Sequence, residues 1–223
     1  MKKKFNTIVT EVENYYSNKV KEHGPTPQGV DWNSKESQMT RFELLLKVCD
    51  TTINFSMIDY GCGYGALAEY MTDQGYTYSY IGYDISAEMI AQAKKRFTNQ
   101  KNLVFTSDII GVPPADYVIA SGIFNVKGRF AEDTWKEYVE NTISHMAGLS
   151  RRGFAFNILT TYSDKEYQRE DLYYANPGYY LDYCVRNFSR NVALFHHYGL
   201  YEFTLLVYLD LENKTGNNQE LED

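Results

Sequence analysis

What this chain lacks narrows its class first. It has only three cysteines among 223 residues, Cys49, Cys62 and Cys184. They are far apart and odd in number, with no Cys-x-x-Cys pair and no ligand-like Cys/His spacing, so the sequence offers neither a disulfide framework nor a metal site. No apolar run approaches the ~20 residues that a membrane span needs; Phe203 to Leu209 has only strand length. Lys2-Lys3-Lys4 is too short to read as a secretion signal or a basic arm. The net charge of −7 argues against nucleic acid, whose phosphates require concentrated positive charge. The expectation is a cytoplasmic, reducing setting and a small-molecule partner, with no membrane and the oligomeric state left open.

What is abundant is tyrosine, 21 residues alongside 12 phenylalanines, clustered at Tyr15-Tyr16, Tyr173-Tyr174 and Tyr179-Tyr180. Packing accounts for most of them. Tyr16, Trp32, Tyr173, Tyr174 and Tyr179 are candidate aromatic walls for a substrate or a bound cation.

At this length one domain can bury a full core. Apolar residues recur at helical steps over residues 1–22. His23-Gly24-Pro25-Thr26-Pro27 then breaks the helix, and Asn33 or Ser34 can cap a second one running to about Cys49. Strand and helix signals alternate from there. Strands are expected at Phe55–Tyr60, Ser79–Tyr83, Leu103–Thr106, Tyr117–Ser121 and Phe154–Leu159. Helices are expected at Ala66–Gln74, Ala87–Phe97, Glu132–Leu149 and Gly178–Asn187. Val192–His197 and Glu202–Leu209 lie too close together for a helical crossover and must pair antiparallel. The pattern predicts an α/β fold, a doubly wound, mostly parallel sheet with an antiparallel C-terminal hairpin. It divides into a helical segment over 1–50, a core over 51–211 and a polar, acidic tail over 212–223 expected to be disordered.

The chemistry gathers around Met57-Ile58-Asp59-Tyr60-Gly61-Cys62-Gly63-Tyr64-Gly65. An apolar strand ends in an acid, and alternating glycines then let the chain turn sharply before a helix. Asp84 ends the next strand about nineteen positions beyond Gly65, where a carboxylate can hold ribose hydroxyls; a helix-capping turn is the other reading. Asp108 closes the third strand, where it can accept from an adenine amino group with Ile109 against the ring, or simply face water. Asp59 stands where a dinucleotide fold usually has no acid, because it would repel a pyrophosphate. It suits a cationic ligand, or caps the turn. The alternative parse Gly61-x-Gly63-x-x-Ala66 keeps an NAD(P)-dependent oxidoreductase open, although no Tyr-x-x-x-Lys pair stands in a suitable place. A non-catalytic cofactor-binding module is the third possibility.

These residues resemble the class I S-adenosylmethionine-dependent methyltransferases. The likeness covers about residues 36–210 and rests on Asp59–Gly65, on Tyr83-Asp84-Ile85-Ser86-Ala87-Glu88-Met89, on Ser107-Asp108-Ile109, on the fourth strand and on the closing hairpin. It implies a seven-stranded sheet with S-adenosylmethionine along its carboxyl edge. Gly61, Cys62, Gly63 and Gly65 would approach the methionine portion and Asp84 would hold the ribose. Asp108 and Ile109 would read the adenine, with Ile85 and Met89 packing nearby. Ser121-Gly122-Ile123-Phe124-Asn125 would line the methyl-transfer opening. It departs from the Asn-Pro-Pro-Tyr type of DNA and protein-glutamine methylating relatives. His23 to Arg41 is similar to the front segment of small bacterial methyltransferases of saccharide or polar-metabolite biosynthesis and would form a lid. Gln38 and Arg41, three apart, would hold the cofactor's carboxylate or else face solvent. For a general base the sequence offers His196 or His197 at the end of strand six, where neighbouring side chains point to opposite faces. His145 reads as helix surface.

Overall fold

A computed structural model describes residues 2–26, 28–30 and 34–209, the side chains of residues 2–5 and of Val30 excepted. Trp32, the Asn33 alternative for the helix cap, and the 212–223 tail lie outside the described residues. Successive side chains of a strand point to opposite faces, and the first strand, β1 (Phe55–Tyr60), fills both. Met57 joins a core with α2 (Lys35–Leu45), α3 (Ala66–Asp73) and α4 (Ala87–Arg96). Ile58 joins the opposite core, with Ile8 of α1 (Lys2–His23), α5 (Glu132–Gly148) and α6 (Pro177–Asn187). Such two-sided burial requires helices over both faces, and that is the architecture observed.

The remaining strands are β2 (Tyr78–Tyr83), β3 (Leu103–Thr106), β4 (Ala115–Ala120), β5 (Ser150–Leu159), β6 (Val192–Phe195) and β7 (Glu202–Tyr208). Their order is β3-β2-β1-β4-β5-β7-β6. β1 to β5 run parallel, and β7 lies antiparallel between β5 and β6. The chain winds from β1 outward through β2 and β3, then returns to the other side of β1 as β4. This reversal opens a crevice at the carboxyl ends of β1 and β4, where open α/β sheets bind ligands.

Element ends differ from the sequence expectations where ladders and apolar runs part company. β5 starts at Ser150, four residues before its apolar run, because backbone pairing with β4 (Ala115 opposite Ser150) needs no apolar side chain. β6 stops at Phe195, whose partner Thr204 is the last of the β6–β7 ladder in that direction, so His196 and His197 stand beyond the strand. α2 ends at Leu45 and tightens into a 3-10 turn over Leu46–Val48. Its cap is Ser34, whose hydroxyl accepts from Ser37 N–H at 3.1 Å. No described helix is long and apolar enough to cross a membrane.

Trp135 ties α5 to the crevice. Its ring is fully buried, and its indole N–H donates to the Phe124 carbonyl at 2.8 Å, just after the turn that follows β4. Trp135→Ala is expected to cost about 3–5 kcal/mol, read as a lower denaturant midpoint with an unchanged slope.

Candidate functional site

The glycine turn is fixed before any ligand is considered. Gly61 and Cys62 N–H both donate to the Tyr83 carbonyl, at 2.7 and 2.9 Å, which stitches the end of β1 to the end of β2. Gly61 has φ +87°, and a Cβ there would meet Ile123 Cγ2 at 2.2 Å. Gly65, also at φ +87°, starts α3, and its added Cβ would lie 2.7 Å from Phe97. The first glycine thus admits the wall opposite, and the third lets the helix pack on the aromatic core.

The turn borders a pocket with about 840 Å³ of empty space, the open solvent at its mouth included. Of the cofactor candidates read from sequence, Gln38, Asp59, Gly61, Cys62, Gly63, Asp84, Ile85, Met89 and Ser121 line it. Asp59 is buried and its carboxylate accepts from Tyr80 O–H at 2.6 Å. Burial pushes its carboxyl up to about 7, partly offset by that hydrogen bond and reinforced by the neighbouring Asp84 charge. Asp84 accepts from Gly63 N–H and Ser86 N–H, both at 2.8 Å, and burial raises it to about 6 against those two bonds. The two sequence readings of this strand end are divided between two residues. Ser86 caps α4, its hydroxyl accepting from Met89 N–H at 3.2 Å, while Asp84 faces the pocket. Neither acid forms an ion pair among the described residues.

Four candidate cofactor residues lie outside the lining. Gly65 sits against Phe97 and Phe105. Asp108 is exposed, with Oδ1 accepting from Ile110 N–H at 2.8 Å, near enough to Tyr83 that its charge helps raise that phenol. Ile109 is half-buried beside it. Arg41 is buried in an ion pair with Glu202 at 2.9 Å, so the solvated-face reading of α2 does not hold for it. His196 and His197 are both exposed past β6 and outside the pocket lining, and the His196 ring lies 5.7 Å from that of Tyr162 after β5. Because they lie beyond the ladder, the alternation that was to aim one of them at the site does not apply. His145 is exposed on α5, its Nδ1 3.2 Å from the Tyr60 hydroxyl.

Among the aromatic candidates, Tyr16 of α1 lines the pocket. Tyr173 is buried against Tyr180, Tyr174 O–H accepts from Arg169 N–H, and Tyr179 bonds Glu140. Sequence reasoning passed over Tyr60, Tyr64, Tyr83 and Tyr138 as site residues, and all four line the pocket. For Tyr60 and Tyr83 a signal existed, since each adjoins a strand-end acid. Tyr138 arrives from α5 by packing alone, and nothing local marks it.

The residues fit an adenosyl cofactor with a sulfonium cation. Two buried carboxylates lack a protein cation, and their charged forms are favoured by a positive ligand. Ser121 Oγ is buried at the pocket wall without a hydrogen-bond partner, so a ligand that bonded it would remove that cost. Tyrosine faces around the acids suit a desolvated cation.

Comparison with known proteins agrees. Residues 57–147 match a family model described as a methyltransferase domain. A Mycobacterium tuberculosis (strain ATCC 25618 / H37Rv) protein named "Putative methyltransferase Rv1506c" is 44% identical over 162 residues, 73% of this chain and 98% of that protein. Among solved structures, the magnesium protoporphyrin IX methyltransferase ChlM of Synechocystis PCC 6803, with bound S-adenosylmethionine, superposes with a TM-score of 0.65 at 17% identity, covering 90% of this chain and 96% of its own. A complex of DhpI with S-adenosylhomocysteine gives 0.60 at 14% identity, covering 89% and 95%. The last two speak to fold. The chain belongs to the class I S-adenosylmethionine-dependent methyltransferases, and the oxidoreductase alternative falls away.

Two measurements probe the site. A cation favours the ionised acids, so affinity for S-adenosylmethionine is expected to rise from about pH 5.5 to about pH 8 as Asp59 and Asp84 deprotonate. The ligand-free protein behaves in the opposite sense. Burial holds both acids above the ordinary aspartate value of 3.8, so their contribution to stability falls as pH rises from about 4 to about 7. A thermal shift on ligand addition that does not grow over this range would contradict the assignment. Ser121→Ala should leave the ligand-free melting temperature unchanged or higher, by removing an unsatisfied hydroxyl, while weakening cofactor binding several-fold.

Proposed function

We propose that this protein transfers a methyl group from S-adenosylmethionine to an oxygen or nitrogen of a polar small molecule, of which a saccharide is the favoured class. The observation that carries the cofactor half is the pairing of Asp59 with Asp84, two raised, buried acids in one tyrosine-rich pocket. The acceptor half draws support from an aromatic surface on the same edge of the sheet. After β5, Tyr162 and Tyr167 are 71% and 62% exposed, and Tyr201 before β7 is 44% exposed, its hydroxyl bonded to Asp164. The Thr160 N–H to Tyr201 carbonyl bond holds the two segments together at the carboxyl edge of the sheet. Exposed aromatic faces with carboxylates beside them suit a ring that is apolar on its face and hydroxylated at its edge.

When bound, the cofactor supplies a methyl group already activated by a sulfonium, so the protein's task is chiefly alignment and exclusion of water. Asp84 keeps lone pairs for ribose hydroxyls while its two backbone bonds fix its rotamer. Asp59, held by Tyr80, would face the sulfonium charge. Gln38 lies beside Tyr64, and both line the pocket. Val12 and Tyr16 of α1 and Gln38 and Phe42 of α2 line the same pocket, which supports a lid role for the 1–50 segment. Ser17 Oγ lies 2.8 Å from Ser86 Oγ and latches α1 to the cap of α4. His196, its ring 5.7 Å from that of Tyr162, borders this acceptor surface and not the cofactor pocket.

The test is release of S-adenosylhomocysteine on incubation with a panel of mono- and oligosaccharides, amino sugars and catechols. Turnover on a hydroxylated or amino sugar is expected. Turnover confined to catechols or other flat aromatics would overturn the saccharide reading and leave methyl transfer standing.

A further inference from the structure

Arg41 and Glu202 come from opposite ends of the chain and meet in the interior. Arg41 Nε donates to Glu202 Oε2 at 2.9 Å, a terminal nitrogen lies at the same distance from that oxygen, and Nη1 donates to the Ser37 carbonyl at 2.8 Å. The other carboxylate oxygen accepts from Asn157 Nδ2 at 3.0 Å and from Tyr198 O–H at 3.3 Å. Asn157 uses its remaining end as well, Oδ1 accepting from Gly122 N–H at 2.7 Å. Glu202 and Asn157 are fully buried and Arg41 is 7% exposed.

One end of this chain of bonds stops at Gly122 in the pocket wall, and the other is anchored on the helix that carries Gln38. Gln38, three residues before Arg41 on α2, lines one wall, and Ser121 and Gly122 after β4 line another. Arg41, Glu202 and Asn157 do not line it. Stability alone explains the arrangement poorly, because a buried ion pair is often no better than apolar residues of similar volume once desolvation is counted. What such a network does provide is a fixed spacing and orientation between the elements it joins. It also occupies the Gly122 N–H, while the adjacent Ser121 hydroxyl is left without a protein partner.

We propose that Arg41, Glu202 and Asn157 are positioning residues that act as one strut, setting the separation of the Gln38 wall from the Ser121–Gly122 wall and through it the affinity for the adenosyl cofactor. Arg41 works through the helix it anchors and does not touch the cofactor's carboxylate. The inference rests on the cofactor assignment and is independent of the acceptor.

Calorimetric binding by the full chain tests it, with S-adenosylhomocysteine as probe. The double variant Arg41→Met/Glu202→Gln removes both charges at similar shape, so folding, checked by circular dichroism, is expected to survive. Asn157→Leu leaves the ion pair in place and cuts the strut at its other end. Each is expected to bind at least tenfold more weakly, and the triple variant no worse than the weaker of the two, because one unit can be broken only once. The preference for S-adenosylmethionine over its decarboxylated form should match that of the wild type. Wild-type affinity in either folded variant, or additive losses in the triple, would overturn the strut. Selective loss of the preference for the carboxylate-bearing cofactor would instead make Arg41 a ligand contact. Wild-type binding, measured alongside, reports on the cofactor assignment separately.

Discussion

Two carboxylates placed in the interior without a protein cation set the terms for everything around them. Burial drives Asp59 and Asp84 toward their neutral forms, and the Asp84 charge adds to the effect at Asp59. The fold tolerates this because Tyr80, Gly63 and Ser86 supply one hydrogen bond each. Those bonds are too few to restore ordinary acidity. Under the proposed assignment a positive ligand would relieve this state, and affinity would be drawn from tension already present in the ligand-free fold.

The scaffold makes this possible by topology. β1 and β2 end side by side, and the glycine turn after β1 hangs on the last carbonyl of β2. Asp59 and Asp84 follow from those two strand ends, so their separation is a property of the sheet and not of a loop. The reversal from β3 back to β4 then opens space beside them. α1, α2 and the turn after β4 close that space from three directions. A sheet-borne pair of acids and helix-borne walls divide the work, rigid chemistry below and adjustable enclosure above.

Much of this was legible in the sequence where the signal is local. Alternating strands and helices, the glycine spacing and the strand-end acids are short-range features, and they led to the seven strands and to most of the pocket wall. What escaped depends on contacts distant in sequence. Arg41 sits three residues from Gln38 and invites a shared role, yet Glu202, 161 positions away, claims it; no helical periodicity contains that information. Tyr138 likewise reaches the pocket only through the packing of α5. For the histidine pair the expected strand ran to His197, whereas the ladder with β7 ends at Phe195, so strand alternation does not orient either ring. Asp108 closes its strand as expected but turns to its own backbone at Ile110, the competing use that short carboxylates always offer.

Asp59 carries the whole arrangement, as a buried acid raised to about 7 in a pocket that suits a cation. Carbon-13 NMR of the Asp59 carboxyl, titrated with and without S-adenosylmethionine, tests it most directly. The account predicts a midpoint near 7 in the free protein, falling well below that when the sulfonium is bound. A free-protein midpoint in the ordinary carboxylate range, or one unmoved by the ligand, would contradict it.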